Sequence, residues 1–584
     1  MTEHMTPAGL ARNLTNMTRL ALANVADDPQ YFGLQVARKF AGPRQLQLLS
    51  RVGGTQRFAT LTALLGEDAT GLRTAIESAR PRWGEPHTAA RLADAATAAG
   101  LWQCAQQVLQ APPEDATHPA LLRARARLAW SLGHLETAID LLATRPGRAS
   151  RQLRHYRSER DVLQGWEPSL PARSRSWTTR GTPRVLYIAT NSLPYTGSGY
   201  AQRTHSLLTA LQDDGLSVWC ATRAGYPLSI GHPGAPTAHT VGGIRYLRLL
   251  PARQRFDAAG RIQQQAELLA RQVEQLQPTV LHTTTDFTNA LAVRAVARAY
   301  DLPWVYEVRG QLADTWASTR PEASRSSQRY RAFTAREAEL AASADAVLTL
   351  GQAMRENLQA AGLDPARIEV LPNGVGSDYL ERITRTTART RLGLDPRALY
   401  WGTVSSLVAY EGLETLIRAT AALRPEHPNL KLAIVGDGVN REPLKRLAAE
   451  LEIGDSCLFP GRVAREQART WHAALDLFAV PRLDLPVTRA VTPLKPVEAL
   501  ASGVPVIASD LPALAELVQD GENGVLVPAG DLKQWVRQAD RLLGDELLRR
   551  RLGEAGRGIV LRERTWSACS SKLQRIYSEL DTAS

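Results

Sequence analysis

The 584-residue chain has few cysteines: Cys104, Cys220, Cys457 and Cys569 lie far apart, three of them inside apolar segments. That pattern excludes a disulfide framework or a cysteine metal cluster and fits a reducing, cytoplasmic setting. No apolar run approaches the roughly 18 to 20 residues of a membrane span. The start, Met1-Thr-Glu-His-Met-Thr, lacks the apolar core of a secretory signal. Membrane contact is therefore restricted to peripheral contact, and the candidate stretch is Leu10 to Val25, which carries Arg12 and Arg19 among apolar residues. The first expectation for that stretch is a core-facing amphipathic helix. An acidic excess is also missing: 70 Lys+Arg against 58 Asp+Glu leave +12, a balance that favours anionic ligands. The basic residues are mostly Arg and are spread along the chain, without zinc-ligand spacing or a dense basic arm, so nucleic acid is not an expected partner.

What is present is enough chain for about three domains, since single cores rarely exceed about 250 to 300 residues. Residues 1–165 read as helical, rich in Ala, Leu, Arg and Gln. Gly66, Gly100 and Gly133 recur at intervals of 34 and 33, followed by small residues at Gly71, Ala105 and Ala138 and by apolar ones at Ala75, Leu109 and Leu142. This period is that of tetratricopeptide-like helical hairpins. Such an array either docks a protein partner or caps the next domain. Residues 166–183, with Pro168, Pro171, Arg173, Arg175 and Arg180, read as a linker.

Strand-like and helix-like segments then alternate. Strands are expected at 184–190, 217–222, 244–249, 279–283, 304–308, 346–350 and 368–371, and again at 399–404, 430–435, 457–459, 475–480, 505–509 and 524–527. The fold class is α/β, with two doubly wound domains in tandem, residues 184–374 and 375–564, behind the helical region. A last helix, 565–584, is expected to pack back on the first of them. Ligands of such sheets bind beyond the carboxyl ends of the strands, so the pair creates a cleft.

The most telling stretch is Thr492-Pro-Leu-Lys-Pro-Val-Glu-Ala-Leu-Ala-Ser-Gly-Val-Pro-Val-Ile-Ala-Ser-Asp510. Its prolines suit a turn and a first helical turn, Glu498 lies one turn beyond Lys495, and Pro505 to Ser509 has the composition of a core strand. This stretch resembles the donor-site signature of retaining, GT-B-fold glycosyltransferases of family four. Ser192-Leu-Pro-Tyr-Thr-Gly-Ser-Gly-Tyr-Ala-Gln-Arg-Thr-His205 resembles that family's glycine-rich first loop, and Tyr306-Glu-Val-Arg-Gly310 its mid-domain strand end. Val370-Leu-Pro-Asn-Gly-Val375, Val435-Gly-Asp-Gly438 and Phe459-Pro-Gly-Arg-Val463 resemble its hinge exit and nucleotide-side loops. The resemblance spans about 184–565 and implies two Rossmann-like domains, acceptor side first and donor side second.

The resemblance implies that Glu498 holds ribose hydroxyls, that Thr492, Pro493 and Leu494 lie against sugar and diphosphate, and that Arg462 and Val463 meet the base, with Gly436 nearby. Gly197 and Gly199 would approach the transferred sugar, with Tyr200, Arg203 and Glu307 toward the acceptor. Negative charge on the departing diphosphate asks for cations, and Lys495, Arg482 and Arg309 are the candidates. The family's usual first glutamate, eight positions before Glu498, is Ala490 here, and its familiar Arg and Lys positions carry Thr403 and Glu411. Tyr-Glu-Gly-Leu and Pro-Leu-Lys together resemble a subgroup found in bacterial surface-polysaccharide pathways. The implied reaction is retaining transfer from a nucleotide-diphosphate sugar, a uridine one, to a saccharide or lipid-linked acceptor. With no carboxylate at position 490 for a double displacement, a front-face route is preferred. No Asp-x-Asp motif follows an apolar strand, so neither a metal nor another cofactor is expected. The competing reading is a catalytically inactive sugar-nucleotide-binding scaffold.

Overall fold

The computed structural model describes residues 5–27, 69–113, 117–144, 146–178 and 181–583. Helices Pro86–Ala98 and Trp102–Gln110 form one antiparallel hairpin, and Pro119–Ser131 and Leu135–Ala143 repeat it 33 residues later. Gly100 and Gly133 make the turns at φ +75° and +88°, a backbone that glycine adopts without strain. Ala105 and Ala138 are fully buried, where a larger side chain would hold the helices apart. Asp94 and Arg127 stand 33 residues apart on equivalent faces of successive hairpins and pair bidentately at 2.6 and 2.9 Å. Gly66 lies outside the described residues.

The first sheet contains β1 (Arg184–Ala189), β2 (Ser217–Thr222), β3 (Ala238–Val241), β4 (Ile244–Arg248), β5 (Val280–Thr284), β6 (Trp304–Val308), β7 (Ala346–Thr349) and β8 (Ile368–Val370). Its order is β3-β4-β2-β1-β5-β6-β7-β8, parallel except for β3. The second contains β9 (Leu399–Val404), β10 (Leu430–Val435), β11 (Cys457–Gly461), β12 (Leu477–Val480), β13 (Val506–Ser509) and β14 (Gly524–Val527), in the order β11-β10-β9-β12-β13-β14, all parallel. These are the two Rossmann-like domains of a GT-B architecture. β3 was not expected; it folds back on β4 through Gly242-Gly243, both at positive φ, the two-residue turn that suits a hairpin.

The amino-terminal helix Pro7–Asp27 corrects one expectation. Three of its four leucines do not face the core: Leu10, Leu14 and Leu22 are exposed and Leu20 is half-buried, while Asn13 and Asn16 are buried. The reason is local. The Asn13 amide donates to the carbonyls of Pro233 and Ala235, and Asn16 to that of Pro251, backbone acceptors of the connections before β3 and after β4. The segment between array and sheet lies flat on the first sheet domain: Arg173 N–H donates to the Ala299 carbonyl, and Trp177 Nε1 to that of Pro278. Leu135, Val162 and Leu163 of the helical region enter that domain's core. The terminal helix Trp566–Ala583 adds Trp566, Leu573, Ile576 and Tyr577 to the other face of the same sheet.

Candidate functional site

Both sheets present their carboxyl ends to a common cleft, crossed at several points. Glu516 of the second domain accepts hydrogen bonds from the Gln352 and Ala353 backbone at 2.7 Å each, capping a helix of the first. Arg465 reaches from the second domain to Gln202 and Ser206 at 3.3 and 3.2 Å. Asn373, in the hinge, donates to the Thr492 carbonyl at 3.0 Å. Leu494 packs against the core of the first domain.

On the second domain, a short helix, Lys495–Ala501, starts with Pro at its second position. Lys495 Nζ meets Glu498 Oε2 at 2.7 Å; the lysine side chain is 34 % exposed and the glutamate 9 %. Thr492 is buried, and its Oγ1 has no hydrogen-bond partner among the described residues. Pro493 is half-buried beside it, Arg462 is exposed and Val463 half-buried where β11 leads into the helix Arg465–Ala474. Gly436 is required by packing: at φ +141° a Cβ there would stand 1.8 Å from the Ser405 carbonyl. Gly197 and Gly199 differ. Among the described residues, their own chain neighbours and local helix backbone aside, no atom lies within 4 Å of where a Cβ at Gly199 would be, and Gly197 meets only the Gln202 amide at 4.0 Å, so these surroundings do not demand glycine there.

Arg482 follows β12 and is buried. It forks onto Glu411 at 2.8 and 3.2 Å and donates to the Val491 carbonyl at 2.8 Å. Burial works against its charge, but the Glu411 carboxylate more than offsets that and holds the guanidinium above its ordinary pKa. The acid at the position where the resembled family carries a lysine is thus the counter-ion of the arginine expected to replace it. Thr403 is buried within β9, and Ala490 is fully buried at the end of the helix Pro486–Ala490, where it presents nothing to the cleft.

On the first domain, Glu307 is completely buried between Arg203, which donates at 2.7 and 2.9 Å, and Arg309, which donates at 2.6 Å. Tyr187 OH adds a hydrogen bond at 2.9 Å. Burial disfavours the Glu307 charge, but the two guanidiniums win and hold its carboxyl well below the usual carboxylate range. Nearby His282 is pushed down to about 3 by burial and is neutral. Arg203 also donates to the Leu371 and Pro372 carbonyls, both at 2.7 Å, and to Asn373 Oδ1 at 3.1 Å, fastening the network to the hinge. Arg309 donates to Thr204 Oγ1 at 2.7 Å and to the Tyr200 carbonyl at 3.1 Å. Arg203, Glu307 and Arg309 therefore sit beneath the cleft. Tyr200 is 51 % exposed and stands above them.

Sequence reasoning missed Asn373, Arg465 and Glu516 as links between the domains, and Glu411 as a counter-ion. Of these only Asn373 had a signal, its place in Pro-Asn-Gly at the end of the first domain. Among the described residues no group of three or more His, Cys, Asp or Glu is placed to hold a metal ion.

Comparison with known proteins adds a family context to this geometry. Residues 384–559 match the model described as glycosyl transferases group 1, and residues 198–374 match the glycosyl transferase 4-like domain. The chain is 32 % identical over 239 residues to a GDP-mannose-dependent alpha-(1-6)-phosphatidylinositol monomannoside mannosyltransferase of Mycolicibacterium smegmatis, covering 40 % of this chain and 62 % of that protein. It is 33 % identical over 226 residues to a D-inositol 3-phosphate glycosyltransferase of Stackebrandtia nassauensis, covering 37 % and 49 %. The chain thus spans less than two thirds of the length of these curated relatives. Among solved structures, sucrose-phosphate synthase from Thermosynechococcus elongatus superposes with a TM-score of 0.58 at 22 % identity, covering 69 % of this chain and all of that one. Alr3699/HepE from Anabaena, solved with UDP, gives 0.52 at 16 %, covering 68 % of this chain and all of that one. These likenesses establish the two-domain fold.

Proposed function

We propose that this chain, which carries a glycosyl transferase 4-like domain followed by a group 1 glycosyl transferase domain, moves a sugar from a nucleotide-diphosphate sugar to a saccharide or lipid-linked acceptor. The transfer retains anomeric configuration and serves bacterial surface or exopolysaccharide assembly. One observation carries the reading: Lys495 and Glu498 pair at 2.7 Å in the first turn of the helix Lys495–Ala501, between β12 and β13, and the first domain offers Gly197 and Gly199, at which no neighbour among the described residues demands glycine. Glu498 accepts hydrogen bonds from the ribose hydroxyls. Engaging them loosens its hold on Lys495, and the half-exposed ammonium turns to the diphosphate, where charge grows as the sugar leaves. Arg482 and Arg309, each bound to a buried acid, act as fixed positive ends of neutral pairs and shape the floor.

With Ala490 buried, the sugar's own leaving phosphate takes the acceptor proton in a front-face displacement. The uridine reading has support in the Anabaena structure, which holds UDP, whereas the mycobacterial relative is named for GDP-mannose; titration with UDP and GDP separates the two. The exposed leucines 10, 14 and 22, with Arg19 on the same helix, support peripheral contact with a membrane holding a lipid-linked acceptor. The scaffold reading draws on the pairing of Arg482, Arg309 and Lys495 with acids. Turnover of a panel of UDP- and GDP-sugars with saccharide and lipid-linked acceptors, followed by NMR of the anomeric proton, decides between them. Transfer with retained configuration supports the enzyme; tight nucleotide binding without turnover of any donor supports the scaffold.

A further inference from the structure

Residues 309–327, between β6 and the helix Gln328–Ser343, form a connection far longer than the roughly two to six residues usual between a strand and its helix. The helical array holds this connection from outside. We propose that the hold, made by the turn ends of the two array hairpins, sets the shape of the acceptor lip of the cleft, so that the array positions the segment through which acceptors are selected. The proposal rests on the reading of the first domain as the acceptor side.

The contacts come from the end of the array where Gly100 and Gly133 turn the chain. Trp102 Nε1 donates to the Thr319 carbonyl at 3.0 Å, and Arg320 Nε donates to the Ser131 carbonyl at 2.7 Å. The Arg329 backbone N–H donates to the Gly133 carbonyl at 3.0 Å. Indoles and guanidiniums alternate across the junction. Arg320 Cζ lies 5.4 Å from the ring centre of Trp102 and 4.4 Å from that of Trp316, and Arg329 Cζ lies 5.7 Å from Trp316 and 5.9 Å from Trp130. Each hairpin thus supplies one outer ring, and the first domain supplies Trp316 and both cations, an arrangement in which ring faces attract the charges between them. A Cβ at Gly133 would stand 2.3 Å from Ser327 Oγ and 2.9 Å from Trp316 Cη2. That glycine therefore serves the close approach of the first domain as well as the turn.

The inner side of the same segment borders the cleft. Its short helix, Leu312–Ala317, starts two residues after Gly310, where a Cβ would stand 3.0 Å from Tyr200 OH, and it packs beside the helix Pro486–Ala490 of the second domain. Asp314 is buried and accepts from Arg325 at 2.6 Å and from Tyr330 OH at 2.8 Å. These bonds tie the short helix to the chain that follows it, so a shift at Thr319 and Arg320 reaches the lip instead of being absorbed on the way. Lys495 and Glu498 belong to the other domain. A loosened lip therefore alters the use of acceptors and spares the binding of nucleotide.

The test compares the full-length wild type with Trp102→Ala/Arg320→Gln and with the milder Trp102→Phe, which keeps a ring beside Arg320 but loses the N–H donated to Thr319. Hydrogen exchange of the 311–318 amides should quicken by about tenfold or more in the double variant and by less in Trp102→Phe, with the β1, β5 and β13 amides unchanged. In transfer assays with saccharide and lipid-linked acceptors, kcat/KM for the acceptor should fall about ten- to a hundredfold. The preference between the two acceptor classes should shift, while UDP and GDP affinities stay within about twofold of the wild type. Should the double variant not fold, the same measurements on Trp102→Phe decide. Unchanged exchange at 311–318, unchanged acceptor kinetics, or a parallel loss of nucleotide affinity would overturn the proposal while wild-type transfer stands. A wild type that binds nucleotide but transfers to no acceptor would instead overturn the reaction on which the proposal rests, and the proposal with it.

Discussion

Replacing Arg482 or Glu411 singly and together tests whether the cleft floor is built from coupled charge pairs. At 2.8 Å two unit charges attract by about 6 kcal/mol at an effective dielectric of 20. Desolvation of two largely buried groups takes back much of this, so the net coupling should be about 2 to 3 kcal/mol. Arg482→Ala strands Glu411 in a buried position and frees the Val491 carbonyl, and should cost about 3 to 5 kcal/mol. Glu411→Ala should cost a similar amount, and the double variant clearly less than the sum. The assay is native-state hydrogen exchange of the β9 and β12 amides, which reports opening of this domain without assuming that the whole chain unfolds in one step. Additive effects within about 0.5 kcal/mol would refute the idea that Glu411 serves as the counter-ion of Arg482.

Three other outcomes follow from particular contacts. Glu337, whose Oε1 is sealed without a hydrogen-bond partner among the described residues, has its carboxyl pushed up to about 8 by burial and by Asp286 and Asp314. The folded state holds this proton more tightly than the unfolded chain, so the associated stability is complete below about pH 4.3 and is lost as pH rises through 8. Glu337→Gln should therefore gain on the wild type between pH 5 and 8, by about 1 to 3 kcal/mol at the upper end; equal melting curves at pH 9 would count against it. In Gly351→Ala the new Cβ would stand 2.3 Å from Glu516 Oε2 and 2.5 Å from Thr492 Oγ1. It should open the cleft and lower turnover while leaving each domain folded, seen as a larger radius of gyration in solution scattering; an unchanged radius and rate would refute the latch. Deleting residues 1–165 should give insoluble protein, because Leu135, Val162 and Leu163 belong to the core of the first sheet domain; a soluble, folded product would show that the array docks without stabilising.

Periodicity carried most of the fold. The expected strands lie within a residue or two of those observed because parallel strands buried on both faces read as continuous apolar runs between helical patterns. The glycine period likewise marked the hairpin turns, since positive φ leaves a residue-type signature. β3 was overlooked although Gly242-Gly243 announced its turn, because four residues are too few to show alternation. The site was only half legible. Lys495 and Glu498 are three residues apart and pair as helical spacing requires. Glu411 and Arg482 are 71 residues apart, and Arg203 and Glu307 104. Those pairings depend on strand order, which local pattern does not contain.

The central claim is that Glu498 holds the nucleotide and Lys495 stabilises the departing diphosphate. Parallel measurement of nucleotide affinity and single-turnover transfer in Glu498→Gln and Lys495→Ala tests it most directly. Glu498→Gln should weaken nucleotide binding at least tenfold, and Lys495→Ala should slow transfer by roughly 10² to 10³ with a much smaller change in affinity. Near-normal affinity in the first and near-normal transfer in the second would contradict the account.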